Sequence, residues 1–116
     1  MKKIYYLGSC DTCRKIMKQF DFSAFEKQEI KTQSITERQL EEMKTLAGNY
    51  EALFSKRSRK YIELGLKDKS LTEDDFQKLI LGEYTFLKRP VIIDGKEIFI
   101  GSDKKNLERL EAHFNG

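Results

Sequence analysis

Cysteine, histidine and proline are scarce in this chain, at two, one and one among 116 residues. Two cysteines cannot build the multi-bridge framework of a small secreted scaffold. With a single histidine they also leave a four-ligand structural zinc site two ligands short. One proline and seven glycines provide no Pro/Gly/Ser-rich tether, so the chain reads as one domain. Apolar runs are short as well: the densest are Leu79-Ile80-Leu81, Val91-Ile92-Ile93 and Ile98-Phe99-Ile100, far from the roughly 18 residues of a membrane helix. The opening Lys2-Lys3 to Cys10 imitates a lipoprotein cleavage site, but its apolar part falls short of the roughly 7 to 15 residues of a signal peptide. The expected compartment is therefore the cytoplasm, where cysteines are kept reduced. Charge of one sign is lacking too: 22 Lys+Arg against 19 Asp+Glu give a net +3. That excess is too small for general polyanion binding, and no direct nucleic-acid partner is expected.

What is present has a clear order. Lys2 to Leu7, rich in Ile and Tyr and closed by Gly8, predicts a buried strand. From Asp11 a helix follows, with Ile16, Met17 and Phe20 on one stripe and Cys10 and Cys13 at its start. Phe25 to Ile30 predicts a second strand, and strand, helix, strand in one sheet implies a right-handed crossover and parallel pairing. The stretch from Thr32 to Gly82 reads as all helical. Thr36 with Gln39 and Thr72 with Asp75 make capping boxes, a helix is expected over Tyr50 to Leu64, and Gly48, Gly65 and Gly82 mark ends. Val91 to Ile93 and Ile98 to Ile100 flank an Asp94-Gly95 hairpin signal, and Asp103 caps a last helix carrying Leu107, Leu110 and Phe114. The expected class is α/β: a thioredoxin-like mixed four-stranded sheet, β-α-β … β-β-α, flanked by helices. Residues 1–31 and 83–116 form the core and 32–82 an all-helical insertion.

The informative motif is Cys10-Asp11-Thr12-Cys13. Two cysteines three apart on a first helical turn fall within the roughly 4.4–6.8 Å between Cα atoms that a disulfide allows. Free backbone N–H groups and the positive end of the helix dipole favour thiolate there. Arg14 adds a cation and Asp11 opposes it. A CxxC that follows a strand and opens a helix reads as redox-active rather than as two buried hydrophobes. His113, in the last turn of the last helix, suits a structural role there. Without a histidine near Cys10, activation falls to fixed cations and backbone dipoles, which suits an oxyanion substrate. Lys56-Arg57-Ser58-Arg59-Lys60 reads as a solvated basic face, with an anion clamp from one of its arginines as the alternative. Lys88-Arg89-Pro90 precedes an apolar strand, where proline belongs at the start.

Taken together, Tyr6 to Lys15, Arg57 to Gly65, Lys88 to Gly95 and Ile100-Gly101 resemble the ArsC family, which holds glutaredoxin-linked arsenate reductases and Spx-type redox-sensing transcription regulators. The resemblance implies a thioredoxin-like fold with a helical insertion and a cis bond at Pro90. In the enzymatic branch it implies Cys10 as nucleophile, and Arg57 and Arg89 as oxyanion-binding arginines whose planar forks suit that task. Cys13 departs from the single-cysteine, glutathione-resolved reductases: here it would resolve the intermediate on Cys10 internally, with Arg14 supporting the thiolate, and the Cys-x-x-Cys is similar to the sensor of the Spx branch. The arsenate reductases carry a further arginine where this chain has Gly101-Ser102, a departure that bears on arsenate specificity. No bound metal or organic cofactor is implied, and the electrons would come from glutathione and glutaredoxin or from thioredoxin. The expected partners are a small oxyanion or thiol substrate and a redox protein, acting on a monomer. For a regulator the partner would instead be the RNA polymerase α-subunit, docked through the same fold.

Overall fold

The computed structural model of the chain describes residues 1–115. It opens with β1 (Lys2–Tyr6), α1 (Asp11–Gln19) and β2 (Glu26–Glu29). β1 and β2 pair in parallel, with Lys3 opposite Glu26 and Tyr6 opposite Glu29. Helices α2 (Glu37–Ala47), α3 (Arg59–Glu63) and α4 (Glu73–Gly82) follow, and β3 (Val91–Asp94), β4 (Glu97–Ile100) and α5 (Lys104–Asn115) complete the chain. The strand order is β2-β1-β3-β4, with β3 antiparallel to both of its neighbours. This is the expected mixed four-stranded sheet flanked by helices. No helix among the described residues is long and apolar enough to cross a membrane.

Two compact units share the chain, one from Met1 to Gln33 and from Arg89 onward, the other from Ser34 to Lys88. In the first, Ile4, Ile92 and Phe99 stand side by side across β1, β3 and β4 and so share one sheet face. Against that face pack Ile16 of α1 and Leu110 of α5, together with Phe20, Phe22 and Phe25. The register is fixed by this burial, since a slip of one residue would turn every one of these strand side chains to the opposite face. Phe114 closes the cluster with its ring centroid 5.0 Å from Phe22, edge to face.

In the second unit both sequence-marked caps form. The Thr36 hydroxyl accepts from Gln39 N–H at 3.0 Å and the Gln39 side-chain Oε1 accepts from Thr36 N–H at 3.0 Å. Thr72 and Asp75 repeat the exchange at the start of α4. The single helix expected over Tyr50 to Leu64 does not form. A short 3-10 turn, Glu51–Leu53, gives way to an extended Phe54 bridged to Leu87. Ser55 N–H donates to the Phe86 carbonyl at 2.7 Å and Lys88 N–H to that of Leu53 at 2.8 Å. Burial explains the break. The Phe54 ring stacks on Phe86 with centroids 5.1 Å apart and meets Phe76 at 4.9 Å, and this packing outweighs a local helical preference of a few tenths of a kcal/mol per residue. Ser58 then caps the short α3 by accepting from Lys60 N–H at 3.2 Å.

The hairpin differs from its signal by one position. Asp94 is still in the ladder, opposite Glu97, so Gly95-Lys96 is the two-residue turn and Gly95 alone has positive φ, at 64°. The Asp94 carboxylate is engaged elsewhere, by Lys2 Nζ at 3.4 Å and by His113 Nε2 at 2.9 Å. His113, whose ring also lies 5.0 Å from that of Phe99, thus fastens α5 to the hairpin.

Candidate functional site

The end of β1 delivers the chain into a tight turn. Cys10 N–H donates to the Leu7 carbonyl at 3.1 Å, and Arg14 N–H donates to the Cys10 carbonyl at 3.1 Å as the first helical bond of α1. Cys10 therefore occupies the N-cap, with extended backbone. It makes no cap hydrogen bond of the kind a serine or threonine makes there. Instead the N–H groups of Thr12 and Cys13 face its sulphur and favour the anion. Both cysteines are free thiols, Cys10 partly exposed and Cys13 fully buried.

Their environments drive them apart. Burial pushes the Cys10 thiol up, but the Cys13 N–H and thiol, the Thr12 N–H and the charge of Arg89 outweigh it, and its pKa falls below the ordinary 9.0. Burial pushes Cys13 up to about 12. The nearby Cys10 anion adds to that rise, while the Leu7 N–H and Arg89 work against it. The result is a partly exposed thiol shifted toward the thiolate beside a buried thiol held protonated, the division of labour that thiol–disulfide exchange uses.

The other sequence-predicted residues fall as follows. Arg89, half-buried in the first unit, is the cation that acts on both cysteines. The Arg89–Pro90 peptide bond is cis. The Pro90 carbonyl accepts from Gly101 N–H at 2.9 Å, and the Gly101 carbonyl accepts from Asn106 Nδ2 at 2.8 Å, which ties the segment before β3 to the start of α5. Gly101 has φ 82°, a conformation in which arginine would be strained. Arg14 is paired with the Asp11 carboxylate at the surface. Arg57 is exposed in the second unit, just before the Ser58 cap.

Sequence reasoning missed Glu29. From the end of β2 its carboxylate accepts from Gly8 N–H at 2.8 Å through Oε2. Through Oε1 it accepts from Lys31 N–H and Thr32 N–H, each at 2.8 Å, and from the Thr32 hydroxyl at 3.1 Å. Those donors hold its pKa below the ordinary carboxylate value, the Gly8 N–H contributing most. No local pattern marks a carboxylate that acts on a residue 21 positions away.

Comparison with known proteins gives one consistent answer. The chain is similar to the global transcriptional regulator Spx 2 of Bacillus anthracis, 27% identical over 119 aligned positions that cover 95% of this chain and 86% of that protein. Its fold is similar to that of an ArsC family related protein from Bacteroides fragilis, with a TM-score of 0.78 at 22% identity, over 94% of this chain and 96% of that one. It is also similar in fold to an arsenate reductase from Vibrio cholerae, with a TM-score of 0.73 at 19% identity, over 95% of each chain. The ArsC family profile matches residues 5–110, from Tyr5 in β1 to Leu110 in α5, so the chain belongs to the ArsC family.

Proposed function

We propose that the protein is a thiol–disulfide oxidoreductase of the arsenate reductase type, with Cys10 as nucleophile and Cys13 as resolving thiol. The observation that carries this reading is the pair of opposed environments at the start of α1: a partly exposed Cys10 whose thiolate is favoured, beside a buried Cys13 whose thiol is held protonated. Cys10 thiolate attacks the arsenic of arsenate and displaces hydroxide, which leaves as water after taking a proton. A sulphur–arsenic bond to As(V) results. Cys13 then attacks the Cys10 sulphur, the sulphur–arsenic bond breaks, and its electron pair leaves with arsenic as As(III), arsenite. The Cys13 proton goes to solvent, and a Cys10–Cys13 disulfide remains. Two electrons and two protons from glutathione with glutaredoxin, or from thioredoxin, restore the dithiol.

Electrostatics supports that order of events. The Cys10 anion is among the groups that hold Cys13 up, and its charge is consumed when Cys10 bonds to arsenic, so Cys13 deprotonates more readily once there is an intermediate to resolve. Arg89 is suited to neutralise both the thiolate and the incoming oxyanion. Arg14, by pairing with Asp11, removes the carboxylate that would oppose the thiolate. For Arg57 an oxyanion-binding role rests on the family resemblance. The test is arsenate-dependent turnover of parent and Cys10→Ser proteins, with glutathione and glutaredoxin or with thioredoxin as donor. Turnover that requires Cys10 supports the enzyme, and none with either donor sinks it.

A second reading is favoured by the similarity to Spx 2 along nearly the whole chain: a redox-sensing regulator in which the same cysteine pair reports oxidation and which binds the RNA polymerase α-subunit. Capture of that subunit by the purified protein, altered by peroxide in the parent and unaltered in Cys13→Ser, separates this role from the enzyme.

A further inference from the structure

We propose that Glu29 is a positioning residue for Cys10: from the end of β2 it clamps the loop that carries the nucleophile and so sets the geometry in which backbone N–H groups meet the sulphur. The inference rests on the reading of Cys10 as a nucleophile. Between β1 and α1 only Leu7, Gly8, Ser9 and Cys10 connect the sheet to the helix, and the first residue of that connector touches both cysteines. Leu7 N–H faces the Cys13 sulphur and the Leu7 carbonyl holds Cys10 N–H. Gly8 follows Leu7 directly, with its N–H on Glu29 Oε2 at 2.8 Å.

Glu29 can hold Gly8 because it is itself held. Its second oxygen takes three donors from Lys31 and Thr32, in the turn that follows β2, and its backbone is registered against Tyr6 of β1. An ionised carboxylate only accepts, and it can satisfy donors on both oxygens at once; hydrogen bonds to a charged acceptor are among the stronger ones. The amide of glutamine has one accepting oxygen and one donating nitrogen, so Glu29→Gln must turn an N–H donor toward either Gly8 N–H or the Lys31 and Thr32 donors. One side of the clamp then opens. Space is not the constraint: a Cβ on Gly8 would lie 3.4 Å from Glu29 Oε2, in ordinary contact, so the hydrogen bond and not crowding defines the pairing.

The experiment is the pH midpoint of Cys10 alkylation by iodoacetamide, read by mass spectrometry for parent, Glu29→Gln and Glu29→Asp, with thermal unfolding run on each. The expected result is a Glu29→Gln midpoint about half a unit above the parent, which is about a threefold loss of thiolate at pH values well below the midpoint. Glu29→Asp, which keeps the charge, should recover part of it. A merely structural Glu29 would lower the melting temperature and leave the midpoint where it was, and that outcome overturns the proposal. A second arm needs no substitution. In the parent the Gly8 amide proton shift should follow the titration of the Glu29 carboxyl, and a Gly8 signal indifferent to that titration overturns the clamp. A parent midpoint at the ordinary thiol value would instead count against Cys10 activation, and the Gly8 signal would still decide whether the clamp exists.

Discussion

Helices α2 and α4 begin with complete capping boxes, Thr36 with Gln39 and Thr72 with Asp75, whereas α1 begins with a cysteine that supplies no cap bond. All three helices face the same problem, the unpaired N–H groups of a first turn. The insertion solves it with side-chain oxygens. In α1 those N–H groups are left directed at sulphur, where they lower the Cys10 pKa. A good cap and an activated thiol compete for the same donors, and the difference between the helices shows stability being spent at the site and kept in the scaffold.

Replacing the unusual cap breaks this comparison most severely. Cys10→Ser should abolish turnover, on the order of a thousandfold or more, because no other group can take the nucleophile's place. The same substitution installs a preferred N-cap residue and should raise stability by about 0.5 to 1 kcal/mol. Denaturant unfolding of reduced protein checks it, and a destabilised Cys10→Ser would show that α1 was not short of a cap.

The next effect concerns the two thiols. At neutral pH iodoacetamide should label Cys10 faster than Cys13 by on the order of a hundredfold, since thiolate fraction and exposure both favour it. Cys13 adds a signature in stability. Its folded pKa is about 12 against an ordinary 9.0, so above the lower value the unfolded chain releases a proton that the folded chain retains, and stability falls as pH rises toward 12. Cys10 has the opposite sign, its lowered pKa adding stability that is lost as pH falls through its folded value. Unfolding midpoints measured above pH 9 for parent and Cys13→Ser should diverge, with the variant losing less.

A smaller effect belongs to the ordinary caps. Thr72→Ala removes the acceptor for Asp75 N–H and should cost about 1 kcal/mol, with the alkylation midpoint of Cys10 unchanged. A moved midpoint would mean that the insertion influences the thiol and that the two kinds of helix start are not independent.

The legible parts of the molecule were the local ones. Capping boxes, the CxxC on a helix start and the Asp103 cap, which takes Asn106 N–H at 2.8 Å, are all written within a few residues of sequence, and the parallel β1–β2 pair follows from the strand-helix-strand order. What was not legible depends on distant partners. Phe54 leaves a helical pattern because Phe86 and Leu87 come to meet it. Asp94 stays in its strand with Lys2 and His113 on its carboxylate. Glu29 acts across a turn on Gly8. In each case a long-range bond decided what composition and spacing had left open.

The smallest expected effect tests how the charge around α1 is divided. Arg14 and Asp11 form an exposed pair, and such pairs contribute little to stability, so Arg14→Gln should leave the unfolding midpoint nearly unchanged. Its consequence is electrostatic: with its partner gone, the Asp11 carboxylate opposes the neighbouring thiolate, and the Cys10 midpoint should rise by a few tenths of a unit. Asp11→Asn in the same protein should cancel that rise. If the double variant stays high, Arg14 supports the thiolate with its own charge and not by occupying Asp11. The cationic share of Cys10 activation would then belong to α1 as well as to Arg89.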